Sequence, residues 1–168
     1  MARRRFSAPS PGDLLLHPAP VTALLVLIVN DHVLKRVWPG AVTGKLSDLT
    51  GLFLLPLLLV SVGEIVAYCL RRKFLADPRV VAATAIVVAV LFAAAKLWIP
   101  FGNGYGVALG WVRGFAGGSF RRVIITHDPT DIAVLPAAMA AWWFVATRST
   151  RSGSRWRPYR RTPQALRS

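Results

Sequence analysis

Four long apolar segments dominate the pattern of this 168-residue chain. A helix needs roughly 20 apolar residues to cross the hydrocarbon core of a bilayer, which is about 30 Å thick. The pattern therefore predicts an all-α membrane protein with four transmembrane helices in one domain, residues 20–147. The predicted helices cover about residues 20–38, 49–70, 80–99 and 129–147.

The connections between these helices differ in length. Residues 39–47 form a short loop, whereas residues 100–128 form a long one in which glycine recurs at every fourth position from Gly102 to Gly118. Because glycine is a poor helix former outside lipid, a flexible or strand-like loop is the first interpretation. The same spacing lets helix backbones approach closely, so an interfacial or re-entrant segment is the second. A fifth spanning helix is rejected, since it would move the basic C-terminal residues across the membrane.

Charge adds an orientation to this picture. The chain has 21 Lys and Arg residues but only 7 Asp and Glu residues. Most cations lie between or after the apolar segments, which argues against a nucleic-acid-binding domain with basic residues spread through its fold. Two thirds of the cations fall on the side that holds both termini. The positive-inside rule therefore predicts that the N and C termini are cytoplasmic and that loops 39–47 and 100–128 face outward.

Basic segments flank the predicted transmembrane domain. Residues 1–19 are expected to form a basic cytoplasmic leader, and residues 148–168 a basic cytoplasmic tail that is disordered because it has little to bury. The expected partners are a bilayer with anionic headgroups and either a second copy of the chain or a partner membrane protein, but no nucleic acid. The residues expected to contact lipid headgroups are Arg71, Arg72, Lys73, Arg148 and Arg151.

Two stretches of the chain are similar. In residues 47–56 and 127–136, an Asp is followed by Thr two positions later and by Pro eight positions later. One interpretation is two repeated helical hairpins, related by an axis along the membrane normal. The other is shared helix-start chemistry, since Asp and Ser favour N-caps and Pro favours the first helical position. Either interpretation starts a helix at Asp48 and at Asp128, and Pro56 and Pro136 are then expected inside helices, facing protein or water.

Polar residues concentrate in the outward half of the predicted bundle, where ionisable groups are costly and usually face its interior. Asp31 and Lys35 are four residues apart and are expected to form an ion pair on one helix. The candidates for a polar pocket or a metal site are Asp31, His32, Asp48, His127 and Asp131. The supporting polar residues are Asn30, Lys35, Lys45, Lys96 and Asp128.

This set of residues is compatible with three roles. Ion pairs and helix caps would make it a structural network. Imidazole and carboxylate ligands suit a divalent metal, which could activate a water molecule, although the two-histidine spacing of known metal motifs is missing. Intramembrane acids can also relay protons. The sequence contains no nucleophile elbow, phosphate loop or dinucleotide fingerprint.

At Asn30-Asp31-His32, Gly44-Lys45-Leu46-Ser47-Asp48 and Asp128-Pro129-Thr130-Asp131 the chain resembles a group of small, uncharacterised bacterial integral membrane proteins. The resemblance covers roughly the first two helices and the start of the fourth. It implies a multi-pass protein of the bacterial inner membrane and no activity, cofactor or substrate. The expected function is that of a binding or accessory membrane protein with an outward-facing polar pocket. A metal-dependent enzyme acting at the outer leaflet and a small oligomeric ion-coupled transporter are the alternatives.

Overall fold

The computed structural model describes residues 11–71, 77–115 and 117–151, and within these ranges the protein is all-helical with no β-strand. The helices follow one another with short connections, except for an extended stretch at residues 119–128. Their bounds are α1 Pro18–Val29, a π-helical segment Asn30–Leu34, α2 Lys35–Val37, α3 Ala41–Cys69, α4 Pro78–Leu97, α5 Ile99–Phe115, a 3-10 helix Pro129–Val134 and α6 Pro136–Arg151.

Four helices are long and apolar enough to cross a membrane, as the hydropathy pattern predicted. They are Pro18–Val37, Ala41–Cys69, Pro78–Leu97 and Pro129–Arg148. Large apolar side chains cover their outer surfaces: Leu25 is 56% exposed, Val62 46% and Val90 60%. Such a surface is unfavourable in water and favourable in hydrocarbon. The architecture is therefore that of a multi-pass membrane protein.

A polar residue followed by proline begins three of the helices. The polar side chain accepts a hydrogen bond from a backbone N–H of the first turn, and the proline occupies the first helical position, where its missing N–H is no loss. The three pairs are His17–Pro18, Asp77–Pro78 and Asp128–Pro129. The sequence predicted the last of these starts from the same local chemistry.

Helices α3, α4 and α6 pack around a shared core, and α1 packs against α3. We call the end where α3 begins and α4 ends the charged end, and the other the opposite end. Small side chains let the helices approach closely, and Pro56 of α3 is fully buried against protein, as predicted. The core cluster nearer the charged end contains Leu52, Ala85, Val88, Val134 and Ala138, and the other contains Leu57, Val60, Val81, Ala141 and Val145.

Helix α3 begins at Ala41 rather than at residue 49, so the predicted loop 39–47 is almost entirely helical. The Thr43 hydroxyl supports this early start, because it accepts a hydrogen bond from the Gly40 N–H at 3.2 Å and donates one to the Gly40 carbonyl at 2.9 Å. The prediction that Asp48 lies at a helix start was therefore wrong. Asp48 lies well inside α3, unlike Asp128, which precedes the 3-10 helix.

The fourth span begins with the 3-10 helix, and α6 starts only at Pro136. Pro136 lies at the first position of α6, so the prediction that it lies inside a helix was wrong. Its side chain is exposed, and that it faces protein or water stays a prediction. Helix α6 continues to Arg151, beyond the predicted end at residue 147. The rest of the predicted disordered tail, residues 152–168, and residues 1–10 of the leader lie outside the described residues.

The glycine-rich stretch is helical at Ile99–Phe115, so the prediction of a flexible or strand-like loop was wrong for this part. Residues 119–128 have no regular secondary structure, as a loop would. Gly102, Gly106, Gly110 and Gly114 form one buried face of α5. The extended residues 119–128 run back along this face, and the Val123 N–H donates to the Gly106 carbonyl at 3.0 Å. A Cβ atom at Gly110 would lie 2.6 Å from the Arg121 carbonyl oxygen. Because the glycines at every fourth position have no side chain, the extended chain can pack directly against the backbone of α5. We call α5 and residues 119–128 the glycine hairpin.

Candidate functional site

The first span widens into a π-helical turn at Asn30–Leu34. Asn30 is fully buried in this turn, and its Nδ2 atom donates to the Thr43 carbonyl at 2.7 Å and to the Ser47 hydroxyl at 2.8 Å. The wider turn thus directs a polar side chain from the first span to α3. Single π-helical turns inside α-helices occur frequently at functional sites.

Asp31 lies beside this contact and extends it towards solvent. Its Oδ1 atom accepts a hydrogen bond from the Ser47 hydroxyl at 2.5 Å and lies 2.8 Å from the Lys35 Nζ atom. The Asp31–Lys35 ion pair matches the prediction from their spacing. Both side chains are about 40% exposed, and exposed pairs of this kind contribute little to stability.

A chain of five alternating charges links α3, α4 and the 3-10 helix. The Asp131 carboxylate holds a lysine on each oxygen, with Lys45 Nζ 2.9 Å from Oδ1 and Lys96 Nζ 2.6 Å from Oδ2. Lys96 also lies 3.1 Å from Asp48, and Lys45 lies 3.6 Å from Asp128. We call these five residues the charged cluster.

The position of each helix end explains this arrangement. Because α3 begins early, Lys45 and Asp48 are three residues apart on one helical face. Lys96 lies in the last turn of α4, where the helix dipole favours a cation. Asp131 lies in the first turn of the 3-10 helix and is buried. The sequence identified all four residues, but only the fold shows which carboxylate meets which lysine.

Asp128 combines a helix cap with a half-exposed carboxylate. Its Oδ1 atom accepts hydrogen bonds from the Thr130 hydroxyl at 2.8 Å and from the Thr130 backbone N–H at 2.9 Å. These two bonds, helped by the nearby Lys45 ammonium group, hold the pKa of Asp128 below its ordinary value. The Oδ2 atom faces Lys45 at a distance that allows charge attraction without a hydrogen bond.

The two histidines of the predicted pocket do not join the charged cluster. His32 is exposed on the first span. His127 packs against α5, where a Cβ atom at Gly102 would lie 2.5 Å from its Cε1 atom. Its Nδ1 atom is buried, and no hydrogen-bond partner for it lies among the described residues. Of the five central candidates, Asp48 and Asp131 both form an ion pair with Lys96. Asp31 lies outside the charged cluster and accepts a hydrogen bond from the Ser47 hydroxyl.

The carboxylates of the charged cluster form ion pairs with lysine side chains of the same chain. Among the described residues, no group of three or more His, Cys, Asp and Glu side chains could hold a metal ion. Asp131 instead binds two lysine ammonium groups, and Asp48 binds one. This donor set does not favour the metal site that the residue types suggested.

A cavity of about 940 Å³ extends from the charged cluster along the bundle. It follows α3 from Lys45 to Leu58, which is about 20 Å at the rise of an α-helix. Its walls include Leu24, Leu27, Leu55 and Phe92 of the spans and Leu109 and Ile124 of the glycine hairpin. Leu24 and Leu58 are still 47% and 45% exposed, so the cavity opens sideways. We call this cavity the lateral groove.

Two features leave the lateral groove open. Gly44 and Gly51 of α3 both line it, and a Cβ atom at either would have no heavy atom within 4 Å. The glycine hairpin forms the facing wall, and its Tyr105 also lines a second cavity of about 410 Å³ with Leu55 and Leu91. Sequence reasoning missed this wall because the glycine period gave the only signal, and we interpreted it mainly as a loop.

The residues expected to contact lipid headgroups lie at the opposite end as far as the structure describes them. Arg71 follows α3 and Arg148 lies near the end of α6, and both are exposed. The Arg148 guanidinium also lies over the Phe144 ring, 5.1 Å from its centroid. Arg72, Lys73 and the side chain of Arg151 lie outside what the structure describes.

Comparison with known proteins adds neither a family nor a relative. The chain matches no protein-family model, no curated protein and no solved structure.

Proposed function

We propose that this protein is a multi-pass protein of the bacterial inner membrane that binds a membrane lipid in the lateral groove, with its charged end facing outward. The observation that carries this proposal is the groove itself, which joins apolar walls to a charged end and opens sideways. An amphipathic molecule lying parallel to the spans has the same division into a polar and an apolar part.

The dimensions of the groove support a lipid. Its volume falls within the range of about 300–1,000 Å³ that is usual for ligand sites, and a path of about 20 Å along α3 accommodates an extended acyl chain. The 29 residues of α3 span about 43 Å, whereas the hydrocarbon core is about 30 Å thick. The first turns of α3, which contain Lys45, can therefore rise into the headgroup region.

The orientation is proposed from charge. Arg71 and Arg148 are exposed at the opposite end, and the basic termini belong to the same side of the four spans. Cations beside a membrane concentrate on its cytoplasmic face, where they also attract anionic lipids. We therefore propose that the charged cluster lies at the outer leaflet, in the position expected for an outward-facing polar pocket.

The two alternative functions have less support from the site. A metal-dependent enzyme needs ligands free to bind the metal, and here lysines bind the carboxylates of Asp48 and Asp131. An ion-coupled transporter needs a path, and the innermost charges Lys96 and Asp131 are held to each other and to their neighbours. Assembly with a second copy or with a partner membrane protein remains part of the proposal.

Co-purified lipid provides the test. Gly51→Phe should fill the lateral groove without a clash at Cβ, and Gly104→Phe places the same side chain on α5 in equally open space outside the groove. We expect mass spectrometry of the purified protein to show less than half the wild-type amount of bound lipid for Gly51→Phe and the wild-type amount for Gly104→Phe. Equal lipid in both variants would contradict lipid binding in the groove.

A further inference from the structure

The charged end of the lateral groove carries both signs in equal number. Its lining contains three lysines and three aspartates: Lys35, Lys45, Lys96, Asp48, Asp128 and Asp131. Lys35 also pairs with Asp31, which lies outside this lining. Because groups of both signs line this end, a head with one positive and one negative group has a partner of opposite sign for each, whereas a head with a single charge meets like charges as well. The arrangement therefore favours a zwitterion.

Asp128 offers the place for the positive group. Its Oδ1 atom is occupied by the two hydrogen bonds from Thr130, whereas its Oδ2 atom lies 3.6 Å from Lys45 Nζ. The side chain is 37% exposed and lines the groove. An ammonium group can donate a charge-assisted hydrogen bond to this oxygen. A trimethylated ammonium group has no N–H and makes no such bond.

Lys35 and Lys45 offer the place for the negative group. Their side chains are 40% and 33% exposed, and both line the groove. A lysine ammonium group has three donors. Lys35 uses one of them on Asp31, and Lys45 uses two, on the Thr130 hydroxyl at 2.6 Å and on Asp131 at 2.9 Å. Phosphate oxygens are suitable acceptors for the donors that remain, two on Lys35 and one on Lys45. Lys96 is less accessible, because it is only 11% exposed and is shared by Asp48 and Asp131.

We infer that the lateral groove selects a phospholipid whose head contains a phosphate and a primary ammonium group, that is, an ethanolamine phospholipid. The phosphate lies at Lys35 and Lys45, the ammonium group at Asp128, and an acyl chain lies along α3 towards Leu58. This inference rests on the proposed binding of lipid in the groove and adds the class of head that the groove accepts.

The test measures which lipid the full chain retains. The purified protein is exchanged into equal amounts of ethanolamine, choline and glycerol phospholipids with identical acyl chains, re-isolated, and its bound lipid is quantified by mass spectrometry. We expect ethanolamine lipid to be retained about tenfold over choline lipid, the smallest ratio that one hydrogen bond between charged groups supplies. The glycerol phospholipid, which is anionic, should be retained less than the ethanolamine lipid.

Asp128→Asn is the decisive variant. Asparagine caps helices as well as aspartate does, so the 3-10 helix keeps its start while the negative charge is lost. We expect the ratio of ethanolamine to choline lipid to fall to within about twofold of the ratio supplied. Asp77→Asn makes the same change at the cap of α4 at the opposite end, and it should keep the wild-type ratio.

The outcomes separate the two proposals. Retention of the three lipids in the proportions supplied, or preference for the anionic lipid, would overturn the ethanolamine assignment while a loss of lipid in Gly51→Phe still supports the groove. If Gly51→Phe retains as much lipid as wild type, both proposals are wrong. Displacement of the lipid by glycerophosphoethanolamine, the same head without acyl chains, at equal concentration would show that the site binds a free headgroup and would overturn the lipid assignment.

Discussion

The Nζ atom of Lys96 lies 2.6 Å from the Oδ2 atom of Asp131, and the two side chains are only 11% and 9% exposed. This ion pair connects the end of α4 to the start of the 3-10 helix, on either side of the glycine hairpin. Lys96 also holds Asp48 of α3 at 3.1 Å. One ammonium group thus joins three of the four spans at the charged end.

We expect Lys96→Met to destabilise the protein strongly. The substitution keeps the apolar part of the side chain but leaves Asp48 and Asp131 without a shared cation, and breaking a buried pair by removing one partner costs about 3–5 kcal/mol. Asp131 keeps Lys45 at 2.9 Å, so the lower end of that range applies. Unfolding in detergent, followed by circular dichroism, measures the change in the free energy of unfolding.

Lys35→Met is the matched control, because it removes the cation of the exposed Asp31 pair. Exposed pairs contribute about 0–1 kcal/mol, so this variant should unfold almost as wild type does. Equal destabilisation by the two substitutions would show that burial does not distinguish these pairs.

The sequence predicted those parts of the fold that depend on local pattern. Long apolar segments determine the four spans, because a chain in lipid must satisfy its backbone groups internally and a helix does so. The start at Asp128 and the Asp31–Lys35 pair depend on residues within four positions, and both were predictable. The pairing of Lys45 and Lys96 with Asp131 depends on how three helix ends meet, which no local pattern contains.

The glycine hairpin shows why the remainder was missed. Gly102 to Gly114 were interpreted through the low helix propensity of glycine, but a tertiary contact decides the conformation here. Residues 119–128 pack in the space that side chains at these positions would occupy. This contact favours glycine on the buried face of α5 although glycine has a low helix propensity. The early start of α3 was also missed, because the predicted helix began with the apolar segment at residue 49, whereas Lys45 within the first turns finds its partners on another helix.

The hairpin gives a second prediction, in which Gly106→Ala and Gly104→Ala should have opposite effects. A Cβ atom at Gly106 would collide with the Val123 carbonyl, whereas one at Gly104 would meet open space. We expect Gly106→Ala to cost about 1–3 kcal/mol through overpacking and Gly104→Ala to be neutral or stabilising by up to about 1 kcal/mol, because alanine favours the helix.

Hydrogen exchange measures this difference locally. The Val123 N–H donates to the Gly106 carbonyl, so its exchange should become faster in Gly106→Ala and remain slow in Gly104→Ala. Slow exchange in both variants would mean that the extended chain does not depend on the missing side chain.

A third prediction concerns the π-helical turn. Asn30 donates to Thr43 and Ser47 from a fully buried position, and Asn30→Ala should cost about 1–3 kcal/mol because these acceptors lose their donor. Asn30→Ala and Ser47→Ala should also be coupled by at least about 0.5 kcal/mol in a double-mutant cycle of unfolding free energies. Thr84 bonds only to the Val80 carbonyl of its own helix in the contacts described here, so Asn30→Ala with Thr84→Ala should be additive within about 0.5 kcal/mol. If the unfolding free-energy changes of Asn30→Ala and Ser47→Ala are additive, the hydrogen bond between Asn30 and Ser47 is contradicted.

A fourth prediction concerns pH at the opposite end. Burial, and secondly the nearby positive charge of Arg148, lower the pKa of His17 below its ordinary value of about 6.5. The folded protein thus favours the neutral ring, and the unfolded chain binds more protons as the pH falls below about 6.5. The contribution of His17 to stability is fully present above that pH and declines between it and the lower pKa of the folded state.

An NMR titration of the His17 ring should give a midpoint below about 6.5. Arg148→Gln should raise the midpoint only partly, because burial remains, and a midpoint unchanged by this variant would exclude the contribution of Arg148.

The last prediction tests which end of the bundle faces outward, on which the proposed function depends. Val42 at the charged end and Leu16 at the opposite end are 80% and 76% exposed, so a cysteine at either position should be accessible to reagents. In a Cys69→Ser background, which removes the single native thiol, a membrane-impermeant maleimide added to intact cells should label Val42→Cys and leave Leu16→Cys unlabelled until the membrane is opened. The positive-inside rule predicts this result, because the larger share of the cations lies with the opposite end. The reverse pattern would place the lateral groove's charged end in the cytoplasm and would require its lipid to come from the inner leaflet.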